Sequence, residues 1–128
     1  MTRQRGSARW TRKFAVAAAG IGRSVRSEDS FRVHVPLTVA VIAIAGLLAI
    51  EPWRWVALTL AIAAVWSAEL FNTAIEGLAR TLHPEHDGRI GAALDAAAGA
   101  VLVVAIAAVT VGLIALAPPL WDTIVSPG

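Results

Sequence analysis

The chain has 128 residues, 57% of them hydrophobic and 16% charged, with a mean hydropathy of +0.68. Soluble domains are about 45–50% apolar and about 25% charged, so this composition excludes disorder and a nucleic-acid-binding arm and argues against a soluble globule. The net charge of +2 is small, and the absence of cysteine excludes disulfides, zinc–thiolate sites and cysteine nucleophiles.

The reading left by these exclusions is an all-α membrane protein: an N-terminal amphipathic surface helix plus three transmembrane helices. Seven of the eleven basic residues come early: Arg3, Arg5, Arg9, Arg12, Lys13, Arg23 and Arg26. Residues 1–6 read as a disordered basic tail. From about 7 to 27, Trp10, Phe14, Ala17, Ile21 and Val25 recur at spacings of three and four, which puts them on one helix face. Arginines on the other faces suit anionic headgroups, so this helix is expected to lie on the membrane. Spans are expected at about 35–50, 55–82 and 95–116, within one membrane domain covering 7–118. Pro36 falls in the expected first turn of the first span, where proline is tolerated. Trp53 and Trp55 mark an interface after it. The polar run from His83 to Arg89 ends the second span. Pro118 and Pro119 are expected to stop the third, leaving 119–128 as a tail.

Basic residues crowd the N-terminal segment and the connection that holds Arg80 and Arg89. The positive-inside rule places both in the cytoplasm and the C-terminus outside. Alanine and glycine are dense in the second and third spans, which lets helices approach closely, and three spans alone bury little, so a homo-oligomer is expected.

The second span carries Glu69, Asn72 and Glu76. Steps of three and four residues put them on one face, two turns long. An ionisable group in a span costs about 2.5–3.5 kcal/mol on insertion scales, so such groups pair, bind an ion or line a polar cavity. A site near the cytoplasmic end follows; the plainer reading is an interhelical hydrogen-bond cluster. Glu28 precedes the first span, where it is either a ligand or a solvated charge. Asp95 opens the third, where it is either a site residue or an N-cap. Carboxylates without cysteine suit a hard cation, and magnesium takes one or two carboxylates with water and phosphate completing its shell. His83 and His86 read as headgroup-facing rather than metal-binding. Walker A, G-x-G-x-x-G and G-x-S-x-G motifs do not occur.

The sequence Glu69-Leu70-Phe71-Asn72-Thr73-Ala74-Ile75-Glu76 resembles the E-x-x-N-[ST]-A-[IV]-E signature of the small bacterial membrane lipid kinases, which comprise diacylglycerol kinase and undecaprenol kinase. Glu28-Asp29-Ser30-Phe31-Arg32 is similar to that family's E-x-x-F-R segment. The stretch from Asp95 to Val101 resembles its D-x-x-A-[AG]-A-V opening. Phe31-Arg32-Val33-His34 is closer to the undecaprenol kinase branch. The resemblance covers about Lys13 to Leu116. It implies a homotrimer in the bacterial inner membrane that moves the γ-phosphate of ATP to a lipid alcohol, with magnesium, for envelope-lipid recycling. Carried over by position, Glu69 is the general base and Asn72 orients the site. Glu28 and Glu76 hold the metal and nucleotide, and Asp95 contacts the nucleotide. The family usually has lysine where this chain has Leu94, so Arg89 or an arginine of the surface helix is expected to supply that charge.

Two other readings compete. One is a degenerate family member with a structural or regulatory role, motivated by Leu94. The other is a cation conduit lined by Glu69 and Glu76. A conduit needs polar groups across the whole bilayer, and the stretches from Trp55 to Trp66 and Val101 to Leu116 carry no charge.

Overall fold

Four helices follow one another in the computed structural model, which describes residues 2–126 and 128: α1 Thr2–Ser27, α2 Asp29–Leu48, α3 Pro52–Leu82 and α4 Gly88–Val125. No strand occurs among the described residues. The last three helices are long and apolar enough to cross a membrane. At 1.5 Å per residue they measure about 30, 46 and 57 Å against a hydrocarbon core of about 30 Å. Little of their apolar surface is buried within the chain, so it is free to meet lipid or another copy.

The helix boundaries depart from the expected ones for local reasons. α1 begins at Thr2, inside the stretch expected to be a disordered tail; glutamine and arginine are good helix formers and Gly6 alone opposes them. Met1 lies outside the described residues. α1 leaves Trp10 and Phe14 exposed, as a helix resting on lipid would. Glu28 is the single non-helical residue between α1 and α2, with extended backbone. α2 then starts at Asp29, so Pro36 is not in its first turn but lies inside the helix. The ring of Pro36 cannot donate to the Arg32 carbonyl, which loses its helical partner. Pro52 opens α3 at a position where its missing N–H costs nothing. α4 starts at Gly88 because Asp87 caps it, its Oδ1 accepting from the Arg89 amide at 2.8 Å and the Ile90 amide at 3.4 Å. Asp95 is therefore not an N-cap; it sits about two turns inside α4.

α2 turns into α3 through a Schellman-type cap. Ala49 takes a left-handed conformation (φ 49°), its amide reaching the Gly46 carbonyl and the Ile50 amide the Ala45 carbonyl. Ala45 and Ile50 then pack with Leu58 and Ala115 into the buried cluster of the molecule, which ties α2, α3 and α4 together at this end.

The largest departure is at Pro118 and Pro119, which do not stop α4; the helix runs through both. Two consecutive prolines deprive the carbonyls four residues earlier, those of Ile114 and Ala115, of backbone donors. Arg54 of α3 supplies the replacement: its Nη1 donates to Ile114 O at 2.9 Å and to Ala115 O at 3.1 Å. Glu51 sits 3.7 Å from the Arg54 Nε and the Trp53 ring stacks 4.4 Å from the guanidinium, which hold the side chain in place. Arg54→Ala leaves two carbonyls unsatisfied and should lower stability by about 2–4 kcal/mol. In a Pro118→Ala/Pro119→Ala background the backbone amides return, and the same change should cost under about 1 kcal/mol. Thermal unfolding of the four proteins in detergent checks this; equal costs in both backgrounds would refute the capping role.

Candidate functional site

The α2 and α3 helices run antiparallel, and their facing residues build the site. On α2, Phe31, His34 and Thr38 recur at spacings of three and four, so they form one stripe. On α3, Trp66 and Glu69 form the opposing one. The Trp66 indole N–H donates to Thr38 Oγ1 at 3.0 Å. Phe31, buried to 1% exposure, packs edge-on against Trp66 (ring centres 5.3 Å apart) and against His34 (6.5 Å). Glu69, three residues after Trp66 on α3 and 5% exposed, has its Oε1 3.2 Å from His34 Nε2. Glu69 is the one charged side chain that is buried among the described residues. With the carboxylate ionised, Nε2–H is the donor and Oε1 the acceptor.

One turn further along α3, Asn72 Nδ2 donates to Glu76 Oε1 at 3.0 Å. Asn72 Oδ1 is buried and has no hydrogen-bond partner. Arg80 lies 3.8 Å from the second oxygen of Glu76, Oε2. The expected stripe of Glu69, Asn72 and Glu76 is thus continued by Arg80, with Glu69 and Glu76 about 10 Å apart along the α3 axis. Within the chain, Glu28 and Asp95 are not joined to it. Glu28 stands at the α1–α2 joint, half-buried, with no side-chain capping bond. Asp95 is exposed on α4. No group of three or more histidine, aspartate or glutamate side chains is placed to hold a metal ion among the described residues.

Arg89 does not turn toward Leu94. Residues 88–94 are helical, so five residues rotate it about 140° away. Its guanidinium instead lies 3.6 Å from Asp87 and is almost fully exposed. The bend at Gly88 and Gly91 that would bring it back is absent, because Asp87 caps the helix ahead of both. His83 faces its own loop, with Nδ1 2.9 Å from the Glu85 carbonyl.

The spacing of the acids pointed to Glu69, Asn72 and Glu76, but not to the role of His34. The available signal was the three-residue step from Phe31 to His34, which marks an α2 face. Nothing in the chain's periodicity says that this face meets Glu69 thirty-five residues later. Arg80 follows Glu76 by four residues, and that step, rather than its charge beside the loop, is the signal that it continues the stripe. Beside the site, an apolar cleft lined by Ile42, Trp55, Leu58, Ile62 and Trp66 lies along α2 and α3 and ends at the aromatic group next to Glu69.

Three helices long and apolar enough to cross a membrane, with a polar stripe along part of α3, describe a membrane protein with an ionisable site set in a span. Residues 15–116 match the prokaryotic diacylglycerol kinase family model. The chain is 35% identical over 112 residues to an undecaprenol kinase of Bacillus subtilis, covering 88% of this chain and 91% of that one. It is 40% identical over 113 residues to a diacylglycerol kinase of Synechocystis, covering 88% of this chain and 65% of the relative. The chain belongs to the prokaryotic diacylglycerol kinase family, a family of membrane lipid kinases.

Proposed function

We propose that the protein transfers the γ-phosphoryl group of ATP to the hydroxyl of a membrane lipid alcohol, diacylglycerol or undecaprenol. The observation that carries this is the order of groups along α3: a buried carboxylate, Glu69, set deeper than an amide–carboxylate–guanidinium series of Asn72, Glu76 and Arg80. A lipid hydroxyl sits at the membrane boundary and ATP arrives from the water, so a base belongs deeper than the groups that hold phosphate. Glu69 accepts the hydroxyl proton as the lipid oxygen bonds to the γ-phosphorus. The bond from that phosphorus to the bridging oxygen breaks, and ADP leaves. The apolar cleft ending at Trp66 offers the lipid's hydrocarbon chain a path to this point.

The donor set fits magnesium. Glu76 offers a carboxylate, and the unpartnered Asn72 Oδ1 is a buried oxygen awaiting a cation or donor. Glu76, with Glu28 from the α1–α2 joint, would hold the ion, which when bound neutralises phosphate charge. Asp95 would contact the nucleotide. These groups come from the α1–α2 joint, α3 and α4, and a homotrimer, with acids contributed across subunits, accords with the exposed apolar faces. By loop charge the site faces the cytoplasm of the bacterial inner membrane, and the reaction returns lipid alcohols to envelope synthesis. By the resemblance, Leu94 stands where the family usually has a lysine that touches phosphate, and Arg80, 3.8 Å from Glu76, would supply the replacing charge.

Labelled ATP and magnesium supplied to the purified protein, with diacylglycerol and undecaprenol side by side, test this reading. Transfer to either alcohol is expected. Arg80→Ala should raise the KM for ATP several-fold, by about 1 kcal/mol or more as charge-assisted contacts go, whereas Arg89→Ala should leave it unchanged. A silent wild type with an active Leu94→Lys variant would favour the degenerate-member reading; silence in both would end the kinase reading.

A further inference from the structure

We infer that His34 is the positioning residue for Glu69, and that the His34–Glu69 pair, rather than Glu69 alone, sets the rate of proton removal. The inference rests on the base role proposed for Glu69. A glutamate has three rotatable bonds, and a base must present one oxygen to the substrate in a defined direction. Glu69 has a single hydrogen-bond partner among the described residues, His34 Nε2 on Oε1. That contact engages Oε1, and Oε2, with no hydrogen bond among the described residues, is the oxygen left for the lipid hydroxyl.

His34 is itself held. Its ring is 20% exposed, and Phe31 packs on it edge-on one turn earlier along α2. Phe31 is in turn wedged against Trp66, whose indole N–H is fixed by Thr38. The imidazole therefore reaches Glu69 from a stripe whose every member is locked to α3. A side chain needed only to fill this space would not carry a ring nitrogen aimed at the one charged side chain that is buried among the described residues.

The test uses two amides that differ in reach. The Gln side-chain nitrogen occupies roughly the place of His Nε2, whereas the Asn nitrogen occupies that of Nδ1 and falls short of Glu69. In detergent or lipid vesicles with labelled ATP, His34→Asn should lower kcat about tenfold or more, the scale of a hydrogen bond to a charged group. The KM for ATP should stay near wild type, and the thermal midpoint, lowered because buried Glu69 loses its partner, should remain well above the assay temperature. His34→Gln should recover most of the lost rate. In a Glu69→Gln background, His34→Asn should add little further loss, because its effect runs through the ionised base. Equal rates for the Asn and Gln variants, or a full loss added on top of Glu69→Gln, would overturn the positioning role while leaving the kinase reading intact. A fall in thermal midpoint that accounts for the lost rate would do the same. A wild type that phosphorylates neither alcohol, in conditions where it is folded, overturns both.

Discussion

Glu69→Gln should lower phosphoryl transfer by about 10²-fold or more, the scale of general base catalysis, without loss of the folded protein. The amide keeps the length and volume of the side chain, and its oxygen can still accept the His34 donor at the position of Oε1. What it loses is the ability to take a proton. The same substitution removes an ionisable group from a span, where charge costs about 2.5–3.5 kcal/mol, so thermal stability should stay level or rise. A residue kept for packing or for holding an oligomer would show the opposite pattern, with stability falling and activity following it. The measurement is turnover alongside thermal unfolding of the same preparation, and near-wild-type turnover would remove Glu69 from the base role.

Glu76→Ala should abolish activity or raise the magnesium requirement by at least about 10- to 100-fold, the range found when mere outer partners of metal ligands are lost. The substitution strips Asn72 Nδ2 of its acceptor and Arg80 of its counter-charge at one stroke. Glu76→Gln, which keeps an oxygen for Asn72 but no charge, should fall between. Magnesium titration of the three proteins at saturating ATP decides the point. An unchanged midpoint in Glu76→Ala would transfer the ligand role elsewhere, and Glu28 and Asp95 would be the acids to examine next. Glu69 and Glu76 should thus separate by readout, Glu69→Gln changing the rate at saturating metal and Glu76→Ala the metal requirement.

Composition and periodicity alone determined the fold class, four helices of which three are long and apolar, because bilayer thickness imposes its length on any apolar helix. They also determined the polar stripe, since Glu69, Asn72 and Glu76 share a face in any helix that contains them. The helix ends were less legible. Pro36 and the pair Pro118–Pro119 look like boundaries because proline lacks an N–H, but whether a helix continues past it depends on what satisfies the orphaned carbonyls. At Pro118 and Pro119 that partner is Arg54, some sixty residues away in sequence, and no local rule could supply it. The same holds for the site. An isolated helix says that Glu69 must have a partner; only the antiparallel pairing of α2 with α3 says that the partner is His34. Local contacts settle the remainder: Asp87 caps α4 so that Arg89 faces away from Leu94, and Arg80 follows Glu76 by four residues on one face of α3. Sequence spacing sets directions within one helix, because the backbone hydrogen bonds that build the helix are local. Which helix faces which, and at what register, is settled by side-chain packing between segments distant in the chain, and that is where the partners of buried charges and free carbonyls are chosen.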